Sequence, residues 1–320
     1  MSNAGKQDQA IGLVADVGGT NTRMAFVDRN GVIADTVVRC PNASFGSFLD
    51  LATHYLDGRP VPSHVVIAVA GPVAGDHARL TNRNWDFNAN ALSAAFGAER
   101  VVLMNDLEAL GQAVPTVPMD AVEPLHDGAE LGGAGQALVV GLGTGFNVSA
   151  VNMESGTVFT AEQGHASLPS SVMSILQSHM PDTSRFDSVE NLFSGVGLLR
   201  LAHVIGVDVD SAEGLAKSDD PRAREALEVC TEAFGLMVRE LAYSYFPRAG
   251  LYFNGSLAKF LLAPERRERV LAPLRADGSF DGQFARIPAF LFVSDTVALG
   301  GCTARLLAQV GAEARAPAHA

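Results

Sequence analysis

Asp16-Val17-Gly18-Gly19-Thr20-Asn21 gathers a carboxylate, two glycines, a hydroxyl and an amide at the end of an apolar run, Ile11 to Ala15. Gly18 and Gly19 can take positive φ and present bare backbone N–H groups. Thr20 and Asn21 add hydrogen-bonding side chains beside them. Such a row of donors is a cradle for an anion, and Asp16 at the strand end is placed to hold a hydrated divalent cation next to it. The chemistry is phosphate binding with Mg2+ orientation; a tight turn alone needs fewer polar groups. The pattern is not a P-loop, which ends in Gly-Lys-Ser/Thr, nor a dinucleotide fingerprint. Both of those lead into a helix, whereas here a second apolar run, Met24 to Val27, follows at once.

The same pattern returns later in the chain. Ala137 to Val140 is apolar, Gly141-Leu142-Gly143-Thr144-Gly145 is a glycine-rich turn, and Val148 to Val151 is again strand-like. Two similar lobes, each offering a glycine-rich hairpin to a shared cleft, suit a polyphosphate held between them. A further carboxylate, Asp106, follows Asn105 at the end of the apolar run Val101 to Met104, where it can point into such a cleft. Asn105-Asp106 can equally serve as the N-cap of a helix over Leu107 to Val114. Glu162-Gln163-Gly164-His165 and Glu190 are polar groups whose local readings are a packed turn and a first-turn helix charge. Glu162 and His165 lack a third ligand or an HExxH helix, so a metal site is not indicated.

The elements that must carry these residues alternate. Strands are expected at Ile11 to Ala15, Met24 to Val27, Val32 to Val38, Val65 to Ala70, Val101 to Met104, Leu251 to Phe253 and Ile287 to Val293. Helices are expected at Phe45 to Leu56, Asn90 to Phe96, Leu107 to Val114, Val172 to His179, from Ser188 to near Gly195, Ala223 to Phe246, Leu257 to Leu262 and Val297 to Val310. Strands alternating with helices imply a mostly parallel sheet with helices on its faces. Polar, proline-containing sequence from Pro115 to Gly135 suits a lobe boundary. Gly300-Gly301 permit either close packing or a bend, a candidate hinge.

Composition narrows the class. A chain of 320 residues with 48% hydrophobic and 18% charged residues is globular and long enough for two lobes. A net charge of −12 argues against a generic nucleic-acid or anionic-membrane surface. Cys40, Cys230 and Cys302 form no CxxC pair, which disfavours a disulfide framework or zinc site and suits a reducing cytoplasm. No apolar run reaches the length of a membrane span. Met1 to Ala10 lack the apolar core of a signal peptide, and Ala312 to Ala320 read as a frayed tail.

In order and spacing, these motifs resemble the bacterial glucokinase family from Leu13 to about Leu307. The resemblance rests on Asp16-Val17-Gly18-Gly19-Thr20-Asn21, Leu80-Thr81-Asn82 with Trp85, Asn105-Asp106, Gly141 to Gly145, Glu162 to His165, Glu190 with Ser194-Gly195, and Gly300-Gly301. It implies an α/β, two-lobed actin-like ATPase (ribonuclease H-like) fold with the active-site cleft between lobes. The lobes would be 10–116, completed by a C-terminal helix at about 303–312, and 117–302. It also implies phosphorylation of D-glucose at O6 by ATP with Mg2+, in a cytoplasmic homodimer.

By resemblance, Asp106 is the catalytic base. Asn105, Asn82, Glu162, His165 and Glu190 hold the sugar. Asp16, Gly18, Gly19, Thr20, Asn21, Gly143, Thr144, Gly145 and Gly255 hold the nucleotide, with Asp16 reaching Mg2+ through water. The chain departs from the family at Asn147 and Ser256, where glycine is usual near the nucleotide, and at Ala166-Ser167-Leu168 near the sugar. A kinase for another hexose or amino sugar and a non-catalytic sugar-binding regulator are the alternative readings. The regulator predicts an appended helix-turn-helix or a damaged Asp106, and Asp106 is intact.

Overall fold

The computed structural model describes residues 11–126, 129–276 and 278–313. The polar opening at 1–10 and nearly all of the tail read at 312–320 lie outside the described residues. The chain divides into two units, Met1–Val117 with Ser294–Ala320, and Pro118–Val293.

The first unit holds β1 (Gly12–Val17), β2 (Asn21–Asp28), β3 (Gly31–Val32), β4 (Val38–Pro41), β5 (His64–Val69), β6 (Val73–Ala74), β7 (His77–Arg79), β8 (Asp86–Asn88) and β9 (Arg100–Asn105). Its main sheet runs β3-β2-β1-β5-β9, with β4 also on β2, and β6, β7 and β8 form a separate small sheet. β1 pairs antiparallel with β2 and parallel with β5, which pairs parallel with β9. Alternation along β1 sends Leu13, Ala15 and Val17 to one face, into a core with Phe48, Leu51, Tyr55 and Phe87. Asp16 falls on the other face with Gly12, which the last helix, Val297–Glu313, covers through Leu306. Cys302 Sγ donates to Ala15 O from the same helix. At its far end Glu313 binds buried His64 at 2.9 Å. These contacts explain why the second crossing between units falls before that helix, at Val293/Ser294.

The second unit holds β10 (Val122–Pro124), β11 (Gln136–Leu142), β12 (Phe146–Asn152), β13 (Val158–Thr160), β14 (Gly250–Asn254) and β15 (Ala289–Phe292), in the order β10-β15-β14-β11-β12-β13. β11 pairs antiparallel with β12 and parallel with β14, β12 antiparallel with β13, and β14 parallel with β15. From its leading hairpin outward this repeats the first unit: third, second, first, fourth, fifth strand. Each unit therefore carries the ribonuclease H-like sheet, and the internal echo in the sequence is an echo of topology. The helix Pro221–Tyr245 opens with Asp220 as N-cap and Pro221 in its first turn, where a missing N–H is harmless. Its buried stripe includes Ala223, Ala226, Cys230, Phe234, Met237 and Leu241. Phe234 continues an aromatic row through Phe193 and Phe253 at centroid separations of 5.6 and 6.1 Å.

Several local expectations are corrected. Val32 to Val38 is not one strand, because Thr36 donates to Ile33 O and accepts from Phe26 N, turning the chain between β3 and β4. The helix from Ser188 is short, Val189–Leu192, and Gly195 opens a new helix to Ile205 under a Ser194 cap. The helices Ala212–Lys217, capped by Ser211, and Arg267–Arg275, burying Val270, Leu271 and Leu274, are not among the expected elements. The last helix runs unbroken through Gly300-Gly301, so of the two readings there, close packing is the one adopted. Among the described residues no helix is long and apolar enough to cross a membrane.

Candidate functional site

In the first unit the β1–β2 turn presents Gly18, Gly19 and Thr20 at the surface, closed by Gly18 N donating to Asn21 O at 3.0 Å. Asn82 lies beside it, its Nδ2 3.4 Å from where a Gly19 side chain would begin. The turn is held from beneath by Asn42, a residue with no local signal in the sequence. Asn42 is fully buried, donates from Nδ2 to Gly18 O at 2.7 Å, donates its backbone N–H to Thr20 O at 2.9 Å, and accepts from Thr22 Oγ1 at 2.8 Å.

Asp16 stands directly across the hairpin from Arg23. Arg23 reaches Asp16 Oδ2 at 3.3 Å and Asp295 Oδ2 at 2.7 Å. Arg23 was not singled out from the sequence, although the hairpin register alone would have placed it opposite Asp16. Burial lifts the Asp16 carboxyl to about 6 despite the Arg23 cation, which pulls the other way. Asp106 opens the helix Asp106–Ala113 straight from the end of β9. Its Oδ1 accepts from Leu107 N at 3.0 Å. Desolvation, then the nearby Asp16 charge, raise its carboxyl to about 6 as well. Asn105 is the N-cap, accepting from Leu107 N at 2.9 Å, while its amide donates to Gly71 O at 3.0 Å. The capping alternative for Asn105 is therefore realised, and Asp106 shares in it through one oxygen.

Among the described residues no group of three His, Cys, Asp or Glu side chains could enclose a metal. Asp16, with one oxygen on Arg23 and the Asp106 carboxyl nearby, fits a Mg2+ ion that keeps most of its waters and is carried by phosphate oxygens. It does not fit a protein-caged ion.

In the second unit the turn Gly143-Thr144-Gly145 is tied at both ends. Gly143 N donates to Gly145 O at 3.0 Å, and Gly143 O accepts from Gly195 N at 2.8 Å. Gly255, at the end of β14, lies against Gly143, and Ser256 opens the next helix there. Glu190 Oε2 accepts from Phe146 N at 2.9 Å. A side chain at position 145 would begin 2.4 Å from that oxygen, so any larger residue there would displace the Glu190 carboxylate from Phe146 N. Glu162 and His165 lie on one 3-10 turn, each with its side chain 79% exposed, and His165 Nδ1 is 3.8 Å from Glu162 Oε2. Asn147 points at this turn and not at the glycines, donating from Nδ2 to Glu162 Oε2 at 3.2 Å. Glu162, His165, Glu190 and the Gly143–Gly145 turn thus form one neighbourhood within this unit. Asp16, Gly18 to Asn21, Asn82, Asn105 and Asp106 belong to the other.

The family model described as Glucokinase matches residues 13–309. The chain belongs to the glucokinase family. The glucokinase of Chromobacterium violaceum is 32% identical over 311 residues, covering 92% of this chain and 88% of that one. The glucokinase of Nitrobacter hamburgensis is 29% identical over 322 residues, covering 93% and 97%. Among solved structures, a glucokinase from an Antarctic psychrotroph is 25% identical, with a TM-score of 0.79 over 92% of this chain and 98% of that one. A ROK family glucokinase of Streptomyces griseus, solved with glucose and AMPPNP, has a TM-score of 0.60 at 17% identity over 92% and 98%. The sheet order in both units and these likenesses agree on the actin-like ATPase fold, and this glucokinase-family chain is a hexose kinase.

Proposed function

We propose that the protein transfers the γ-phosphoryl group of ATP to O6 of D-glucose, giving glucose 6-phosphate and ADP, the first step of glycolysis. The observation that carries this reading is Asp106. A carboxylate at the end of a parallel strand, anchored through one oxygen and raised to about 6, is a base still ionised at neutral pH yet more basic than an ordinary aspartate. In this reading Asp106 accepts the O6 proton as the hydroxyl attacks. Asn105, Asn82, Glu162, His165 and Glu190 orient the sugar through its hydroxyls. The turns at Gly18 to Asn21 and Gly143 to Gly145, with Gly255, hold the nucleotide. Mg2+, reached by Asp16 through water, would supply neutralisation of the phosphate charge. The working form is a cytoplasmic homodimer, as the resemblance implies.

A coupled ADP-release assay with Mg-ATP tests this across glucose, mannose, fructose, N-acetylglucosamine and no sugar. Glucose-dependent release at the highest kcat/KM is the expected result. Release confined to another sugar would transfer the assignment to that sugar, and glucose binding without release under any condition would sink the kinase reading. The Asn42 lock gives a second expectation. Asn42→Ala leaves Gly18 O and the Thr22 hydroxyl without their buried partner, a loss of about 1–3 kcal/mol. Steady-state kinetics should show the KM for Mg-ATP raised about tenfold, the equivalent of about 1.4 kcal/mol, with the KM for glucose unchanged.

A further inference from the structure

We propose that Asn147 is a positioning residue for the sugar-reading turn and thereby sets sugar selectivity; this rests on the reading of Glu162 as a sugar ligand. By sequence, Asn147 is a departure in a nucleotide-binding turn. Its side chain does something else. Oδ1 accepts from Val148 N at 2.9 Å and from Gln163 N at 3.0 Å. Those two bonds fill the acceptor capacity of an amide oxygen. The amide plane is thereby fixed with respect to both β12 and the 162–165 turn. Nδ2 then donates to Glu162 Oε2 at 3.2 Å.

The turn needs this support. Gly164 is pressed against Phe146 O, with no room for a side chain, so the turn backbone is in place. The Glu162 side chain, however, stands 79% exposed. Beyond Asn147, the polar group described near its carboxylate is His165, at 3.8 Å. A long exposed glutamate samples many rotamers, and fixing it has an entropic cost. Asn147 settles that cost before sugar arrives and decides which carboxylate oxygen stays open, since among the described residues Oε2 is engaged and Oε1 is not. A carboxylate held in one orientation accepts a hydroxyl from one direction. Epimers that place the hydroxyl elsewhere leave a polar group badly paired, the condition under which a site discriminates strongly. A glycine at position 147 would keep the backbone and lose both functions.

The experiment compares Asn147→Ala, Asn147→Asp and Glu162→Ala in the full-length chain. It measures KM for glucose and for Mg-ATP, the glucose-to-mannose ratio of kcat/KM, and melting temperature. Asn147→Ala is expected to raise the glucose KM about tenfold and to narrow the glucose-to-mannose ratio, with the ATP KM unchanged. Asn147→Asp keeps the acceptor for Gln163 and Val148 but sets a carboxylate against Glu162. It should impair glucose more than the alanine variant while melting no lower, a pattern that simple turn scaffolding would not give. A rise in ATP KM with glucose KM unchanged, or an aspartate variant equal to wild type, overturns the proposal. Glu162→Ala separates the two levels. If it leaves the glucose KM unchanged, the sugar-ligand reading itself fails. If it raises that KM while the Asn147 variants do not, only the role of Asn147 fails.

Discussion

Asp106→Asn is expected to lower kcat at least about a hundredfold with glucose binding retained, the signature of a lost base. Isothermal titration with glucose and single-turnover kinetics would separate binding from chemistry. The wild-type pH profile should agree. A base raised to about 6 is protonated below that pH, so kcat/KM should rise as pH climbs through about 6 and level off above. Asp16 is raised to about 6 by the same burial, so the limb belongs to the pair jointly. Stability should move the opposite way. The folded state holds these protons more tightly than the unfolded chain does, where an aspartate sits at 3.8. Stability is therefore gained as pH falls through about 6 and withheld above it. Asp106→Asn removes one such burden. The variant should melt higher than wild type at pH 8, with the gap closing toward pH 4. An inactive enzyme more stable than its parent is difficult to explain except by a charge kept buried for use.

The second large effect lies at adjacent glycines. A side chain at position 301 would begin 1.7 Å from Ala109 O, whereas one at position 300 meets nothing within 4 Å. Gly301→Ala must push the last helix away from Asp106–Ala113, a strain of roughly 2–3 kcal/mol. Differential scanning calorimetry should show a fall of several degrees. Because Ala109 lies one turn from Asp106, kcat should fall too, through misplacement of the proposed base. Gly300→Ala should instead stabilise by about 0.5–1 kcal/mol, since alanine loses less freedom than glycine in a helix. Opposite signs at neighbouring positions would confirm that contact and not helix propensity governs this pair. Equal effects would refute the packing argument.

The features legible in the sequence were those written within one element or one turn. The Asp16-to-Asn21 turn, the strand ending in Asn105-Asp106 and the recurrence at Gly141 to Gly145 were readable because polar tips interrupt apolar runs. Alternation of strands and helices pointed to a mostly parallel sheet, and that is corrected: β1-β5-β9 and β11-β14-β15 pair in parallel, but the hairpins beside them are antiparallel, because strands joined by short turns pair with their own neighbours. The missed features depend on residues brought together from afar. Asn42 meets Gly18 across 24 positions and Arg23 meets Asp295 across 272, and no local pattern announces either. Asn147 was readable as unusual but not as belonging to Glu162, because only the packing of the 162–165 turn on Phe146 shows where its amide points. The break at Thr36 was hidden for a related reason: a buried hydroxyl bonding two backbone groups outweighs the strand preference of its valine neighbours.

The discontinuity of the first unit also has a consequence during synthesis. The second unit is a single stretch, Pro118–Val293, whereas the first is closed by the helix Val297–Glu313. Roughly 190 residues are translated between Asp106 and that helix, on the order of ten to forty seconds at about 5–20 residues per second. Throughout that interval the helix bearing Asp106 lacks the surface it packs on, and β1 lacks the cover of Cys302 and Leu306. The middle of the chain can complete its own sheet first. The unit that carries Asp106 is closed only after the second unit has been made, so a chain that stops short of the helix Val297–Glu313 lacks the surface on which Asp106–Ala113 packs.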